Sequence, residues 1–252
     1  MIGGKVVWIT GGSSGIGAAT AAELARRGAR VAVTARRQVE LKQVATSAPG
    51  DVIAVPGDVR DADALKAVVN EIEAQLGHVE IAMLNAGIWE QMDVSEWDST
   101  PIRTHIETNL MGMVNALDAV LPRMLERRHG RIVGVASVAG YRGFTRAEAY
   151  GTTKAAEINL LESLRIDLAP LGVAVQTINP GFVDTPMTRH NKFPMPFITD
   201  TQTAAKRIAD GIEKGKAETV FPLPYLVGMK LLRVLPVRPY TWISARMAGE
   251  PS

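Results

Sequence analysis

The chain contains no cysteine. Disulfides, thiolate catalysis and cysteine-ligated metals are therefore excluded. Histidine is scarce too: His78, His105, His129 and His190 are scattered and form no HExxH-like pair, so no metal is expected. Neither sign of charge dominates. The 28 basic and 26 acidic side chains leave a net charge of +2, too balanced to argue for nucleic acid. The densest basic cluster, Arg123 with Arg127, Arg128 and Arg131, has Glu126 inside it and reads as a solvated helix end. No uncharged apolar run reaches the ~18 residues that span a bilayer. No basic region, apolar segment and cleavage site precede the strand-like Lys5–Thr10, so a cytoplasmic location is expected. No linker composition or fixed-period repeat occurs. With 46% apolar and 21% charged residues, the 252 residues are read as a single domain over 1–252.

What is present is an alternation. Apolar runs rich in Val, Ile and Ala fall near 5–10, 30–35, 52–56, 79–84, 130–136, 173–179 and 218–221. Few charges interrupt them, as expected of strands buried on both faces. Helix-period segments fall near 15–28, 38–47, 61–76, 102–127, 149–170 and 202–214. Asp61 is placed to cap the third helix, and Gly28 and Gly77 to end the first and third. Strand and helix in alternation predict an α/β fold: a Rossmann-type, doubly wound parallel sheet of about seven strands with helices on both faces. Ligands in such sheets bind at the carboxyl ends of the strands, where strand order reverses.

The first strand runs into Gly11-Gly12-Ser13-Ser14-Gly15-Ile16-Gly17 and then an alanine-rich helix. A turn this tight needs residues that tolerate positive φ. A pyrophosphate must also approach the backbone closely, and the following helix offers it unpaired N–H groups and a positive dipole end. No Lys-Ser/Thr follows the glycines, so this is not a P-loop. Its position between strand and helix favours a dinucleotide.

Here the sequence resembles the short-chain dehydrogenase/reductase family, over nearly the whole chain up to about residue 220. Thr10-Gly11, Gly15-Ile16-Gly17 match that family's cofactor turn. Asp58-Val59 match the pair that contacts adenine, and Asn85-Ala86-Gly87 end the fourth strand as in the family. Asn109, Ser137, Tyr150 and Lys154 fall in the order and spacing of its catalytic tetrad. Pro180-Gly181, with Val183 and Thr185, match the stretch that holds the nicotinamide. The resemblance implies hydride transfer between a nicotinamide cofactor and a carbonyl or alcohol. It also implies that Lys154 binds the nicotinamide ribose and that Asn109 holds a water relaying protons through Lys154.

The residues suit that chemistry. Tyr150 and Lys154 lie four apart on a predicted helix, hence on one face. A free tyrosine has a pKa near 10. A neighbouring ammonium favours the phenolate, so the pair can give a proton to a carbonyl oxygen or take one from an alcohol. Ser137 is placed to hydrogen-bond the substrate oxygen. It is no hydrolase nucleophile, because a GxSxG elbow would need glycines where Val135 and Ala139 stand. A non-catalytic NADP-binding module would be expected to carry a damaged tetrad, and this one is intact.

An NAD enzyme carries an acidic residue about 20 positions beyond the glycines. Ala35 stands there, followed by Arg36 and Arg37. A carboxylate would repel a 2′-phosphate and a guanidinium clamps one, so NADP(H) is expected, with Arg36 as its contact and Arg37 as helper. Residues 186–201 lie where the family puts its substrate lid. Met187, Phe193, Met195, Phe197 and Ile198 there suggest an apolar substrate, although the lid's packing on its own body would also use them. Val138, Gly140, Tyr141, Trp89 and Phe144 are candidates for the same pocket. The segment 222–252 departs from the commonest family pattern. It is apolar with a basic face at Lys230, Arg233 and Arg238. It has three possible places: a membrane surface through 224–238, the substrate pocket, or a subunit interface. A homodimer through the helices at 102–127 and 149–170 is expected; a tetramer is in doubt.

Overall fold

The computed structural model describes residues 2–191 and 193–247. Residue 192 of the expected lid and residues 248–252 of the expected C-terminal extension lie outside the described residues.

All seven expected strands form: β1 (Val6–Thr10), β2 (Arg30–Thr34), β3 (Val52–Ala54), β4 (Ile81–Leu84), β5 (Gly130–Val135), β6 (Val173–Pro180) and β7 (Glu218–Phe221). They make one parallel sheet in the order β3-β2-β1-β4-β5-β6-β7. Strand order reverses between β1 and β4, so a crevice opens beyond their carboxyl ends.

Alternation along each strand feeds two cores. Val6 and Trp8 of β1 face one of them, with Leu65, Val69 and Ile72 of α3 (Ala62–Leu76) and Val120 of α5 (Gly112–Arg127). Val7 and Ile9 face the other, with Leu24 of α1 (Gly15–Arg26), Leu41 of α2 (Gln38–Ser47) and Ile208 of α7 (Thr201–Glu213). Trp8 is fully buried, and its indole N–H donates to Thr34 Oγ1 at 2.9 Å, which satisfies its one polar atom.

Helix punctuation follows local chemistry. Asp61 accepts from the N–H groups of Asp63 and Ala64 and starts α3. Gly77, at φ 87°, ends it. The Arg123 cluster, expected as a solvated helix end, is instead partly buried and tied to neighbouring elements. Arg123 and Arg127 pair with Glu73 of α3, and Arg128 donates to the Pro170 carbonyl.

Two regions depart from the expected elements. The helix expected over 102–127 begins earlier, as α4 (Thr100–His105), with Pro101 in its first turn. It then widens into a π-helical turn over Ile106–Met111 before continuing as α5. The chain past β7 forms two more helices, α8 (Leu223–Val234) and α9 (Val237–Met247). Met229 and Leu232 of α8 pack with Ala136, Val138, Tyr141 and with Ile158 of α6 (Glu148–Leu168). The inner face of α8 therefore covers the chain just after β5. No helix among the described residues is long and apolar enough to cross a membrane.

Candidate active site

The crevice is a solvent-open cleft of ≈ 800 Å³. Its floor is built where β1, β4, β5 and β6 end. Gly11, Ser14, Gly15 and Ile16 of the glycine turn line it, with Asn85, Gly87, Ser137, Tyr150 and Lys154, and Pro180, Gly181, Val183 and Thr185, the last of which stands beside Gly15. These sequence-predicted residues share one cleft, and Pro186, Met187 and Thr188 of the expected lid edge the same space.

The glycine turn is forced by contact. At Gly11 (φ 68°) a Cβ would stand 2.8 Å from Ala86 Cα. At Gly17 it would stand 2.4 Å from the Gly11 carbonyl oxygen. Only bare backbone fits. Asn85 ties the strands together by donating to the carbonyls of Thr10 and Gly11, and Thr10 Oγ1 accepts from the N–H groups of Asn85 and Ala86. Ser14, at the start of α1, makes no side-chain cap. Its hydroxyl, like that of Ser13, is held by Arg37 instead, at 2.7 and 3.0 Å. The helix terminus therefore presents its first N–H groups without an internal side-chain acceptor, a fitting seat for phosphate.

Arg36 and Arg37 are both exposed past β2, and neither lines the cleft itself. Arg37, expected only as a helper, is the one tied to the glycine turn. Asp58 carries a bidentate contact from Arg60, which holds its carboxyl below the ordinary value, with a smaller pull from Arg36. Val59 turns inward: its side chain is in the core and its carbonyl accepts from Asn115. A base could meet it only through its main-chain N–H.

Tyr150 stands in a ring cage. Trp89 meets it edge-on at 5.2 Å and His105 at 6.5 Å, and Lys154 Nζ lies 5.5 Å from its ring centre. His105 is fully buried, and burial draws it below its ordinary value, so it is neutral at pH 7. Trp89 also donates to Asn191 Oδ1 at 2.8 Å, which links the cage to the segment expected as a lid. Ser137 stands two residues past β5, in extended geometry. Its Oγ accepts from Ala139 N–H and donates to the Pro180 carbonyl at 3.4 Å, a long bond that a substrate oxygen could replace.

Asn109 and three of the candidate pocket residues sit behind the cleft wall. The Asn109 side chain does not reach the cleft. Fully buried on the π turn, it accepts from Ile88 N–H and donates to the Ile88 carbonyl and Thr153 Oγ1. It brackets the loop after β4 to α6, so its amide is spent on structure. Val138, Gly140 and Tyr141 do not line the substrate space. Val138 and Tyr141 are in the core beneath α8, and Gly140 is pressed against the Lys154 main chain. The Tyr141 hydroxyl instead bonds Glu218 and Asn179, and burial raises it well above the usual tyrosine value.

One residue of the site went unread in the sequence. Glu157, fully buried, accepts from Lys154 Nζ through both oxygens at 2.9 and 3.1 Å, and the same Nζ donates to the Val135 carbonyl at 3.1 Å. Burial pulls Lys154 down, but the charges of Glu157 and Tyr150 outweigh that pull and leave it raised, hence protonated.

The family model for short chain dehydrogenases matches residues 5–194. The chain belongs to the short chain dehydrogenase family. Within that family it is 39% identical, over 92% of its length and 93% of the other's, to an uncharacterized oxidoreductase of Myxococcus xanthus. It is 35% identical to the 3-oxoacyl-[acyl-carrier-protein] reductase FabG of Staphylococcus aureus, over 73% of this chain and 76% of that one. The crystal structure of levodione reductase superposes with a TM-score of 0.79 at 25% identity, covering 88% of this chain and 97% of that one. This short chain dehydrogenase is thus an oxidoreductase, with the parallel sheet the sequence predicted.

Proposed function

We propose that the protein is an NADP(H)-dependent oxidoreductase that interconverts an apolar carbonyl compound and its alcohol. The observation that carries this reading is the convergence of Ser137, Tyr150 and Lys154 on the cleft that begins at the uncapped α1 terminus. The bound nicotinamide would supply or accept the hydride at the substrate carbon. The chain's own residues do the rest. Tyr150 gives its hydroxyl proton to the carbonyl oxygen in reduction and recovers it in oxidation. Ser137 donates to that oxygen as charge develops on it. Lys154 is placed for the ribose and holds positive charge beside the phenol. Gly11, Gly15 and Gly17 admit the pyrophosphate, and Asp58 and Val59 flank the adenine. An NADPH-consumption screen across aldehydes, ketones, quinones and 3-keto acyl compounds tests the assignment; no turnover of any class would refute it.

The choice of NADP(H) rests on Ala35 in the place of an acid and on Arg37 fixed over the turn by two serine hydroxyls. Arg36→Ala and Arg37→Ala should each weaken NADPH by roughly 10-fold or more, the scale of a lost charged hydrogen bond. NADH affinity should barely change. Equal losses for both cofactors, read by fluorescence titration, would refute the 2′-phosphate contact.

A second reading keeps this chemistry and adds a partner: an anionic membrane surface. Val227, Leu231 and Val234 fall at i, i+4 and i+7 on α8 and are 61%, 61% and 77% exposed. Trp242 of α9 is half-exposed, with Arg246 stacked on it at 3.8 Å. Of the four basic residues between Glu218 and Glu250, Lys230 is paired with Glu218 at 3.0 Å, and no acid lies within the segment beside Arg233, Arg238 and Arg246. A second copy docking symmetrically on this face would bring like charges together, whereas anionic headgroups complement it. The chain should sediment with phosphatidylglycerol-containing vesicles, less so at high salt, and not with phosphatidylcholine alone. Val227→Glu with Leu231→Glu should release it with activity intact. Equal binding to both vesicles, none to either, or a dimer lost in the variant would overturn this reading.

A further inference from the structure

A carboxylate with no exposure is bonded through both oxygens to the ammonium that faces the reacting phenol. It is the partner of a buried cation, and removing it leaves that cation unpaired. Its effect is electrical. Lys154 favours the Tyr150 phenolate because it brings positive charge within 5.5 Å of the ring. Glu157 sits 2.9 Å from that charge and is not among the residues lining the cleft. At the phenol the pair then acts as a dipole rather than as a lone cation, and a dipole's field is weaker and falls faster with distance.

We propose that Glu157 is a positioning residue acting through Lys154: its carboxylate offsets the ammonium and so sets the pH range over which Tyr150 exchanges its proton with the substrate oxygen. The inference rests on the reading of Tyr150 as the acid/base group. Other charges do not compete. His105, facing the phenol from α4, is neutral, and β5 offers the ammonium only the Val135 carbonyl. On α6 itself the titratable neighbours in the pair's circuit are Lys154 and Tyr150. Burial pushes Glu157 up to about 7 against the pull of Lys154. The offset is therefore full well above neutrality and relaxes through it.

The test is Glu157→Gln, which removes the charge and keeps a carbonyl oxygen for the ammonium. Glu157→Leu is a second charge-free variant and Glu157→Asp a charge-keeping control. The pH profile of kcat/KM for alcohol oxidation should move toward acid by about one pH unit in the charge-free variants, the scale of one nearby charge. The Asp variant should leave the profile in place. A merely structural role would lower kcat at every pH without moving the limb, and that outcome overturns the proposal. So does a shift toward alkali, or failure of both charge-free variants to fold while the Asp variant folds. Loss of the proposed function itself would show separately, as turnover retained by Tyr150→Phe.

Discussion

Tyr150→Phe should lower kcat/KM by ~10²–10⁴, the usual contribution of a positioned proton donor, and leave NADPH binding intact. The cage explains why this variant isolates the chemistry. Trp89 and His105 meet the ring of Tyr150 edge-on, and both contacts survive in phenylalanine. Lys154 keeps its bonds to Glu157 and the Val135 carbonyl, neither of which involves the hydroxyl. The substitution deletes one oxygen that points into a solvent-open cleft, so stability should change by less than about 1 kcal/mol. Steady-state kinetics in both directions with a parallel fluorescence titration of NADPH read the two halves. Turnover within tenfold of the wild type would remove Tyr150 from its role. Lost NADPH binding would mean that the ring, not the proton, was being tested.

Much of this site is legible in the sequence because backbone geometry demands particular residues. Strands buried on both faces must be apolar, so seven of them stand out. The approach of the turn to Ala86 admits only glycine at 11, and the 2.4 Å clearance at 17 admits only glycine there. What stays hidden depends on neighbours remote in sequence. A helical period over 102–127 is insensitive to the extra residue per turn in Ile106–Met111, so the π turn that aims Asn109 inward leaves no trace. Glu157 is three residues from Lys154, a spacing that on most helices marks a solvated ion pair. Packing of α6 against β6, α4, the π turn and the chain after β5 makes that pair buried. Tyr141 fails as a pocket residue for a similar reason. Its partners, Glu218 and Asn179, lie on strands β7 and β6, and nothing local announces them.

The same pair yields the second large effect. Lys154→Met replaces the ammonium with a side chain of similar length, filling the space of its aliphatic stem. Two losses should follow together. Turnover should drop by ~10² or more, because the phenol loses the charge that assists proton transfer. Stability should drop by about 3–5 kcal/mol at alkaline pH, the scale of stranding a buried charge, which for a chain this long is about 10 °C in Tm. The pH dependence gives the cause. Glu157 already sits at about 7 when folded, against 4.5 ordinarily, because burial raises it more than Lys154 lowers it. Removing Lys154 raises it further. A carboxyl raised in the folded state favours folding below its unfolded value, and that contribution is lost as pH climbs through the folded value. The variant should therefore approach wild-type Tm at about pH 5 and fall away from it through neutrality and above. Lys154→Met with Glu157→Leu should recover the stability, since neither a charge nor a partner is then stranded, and should recover none of the activity. Thermal melts of the two variants across pH decide it. A single variant as stable as the wild type at alkaline pH would mean that Glu157 finds another partner, and the buried pair would not be the hinge of this site.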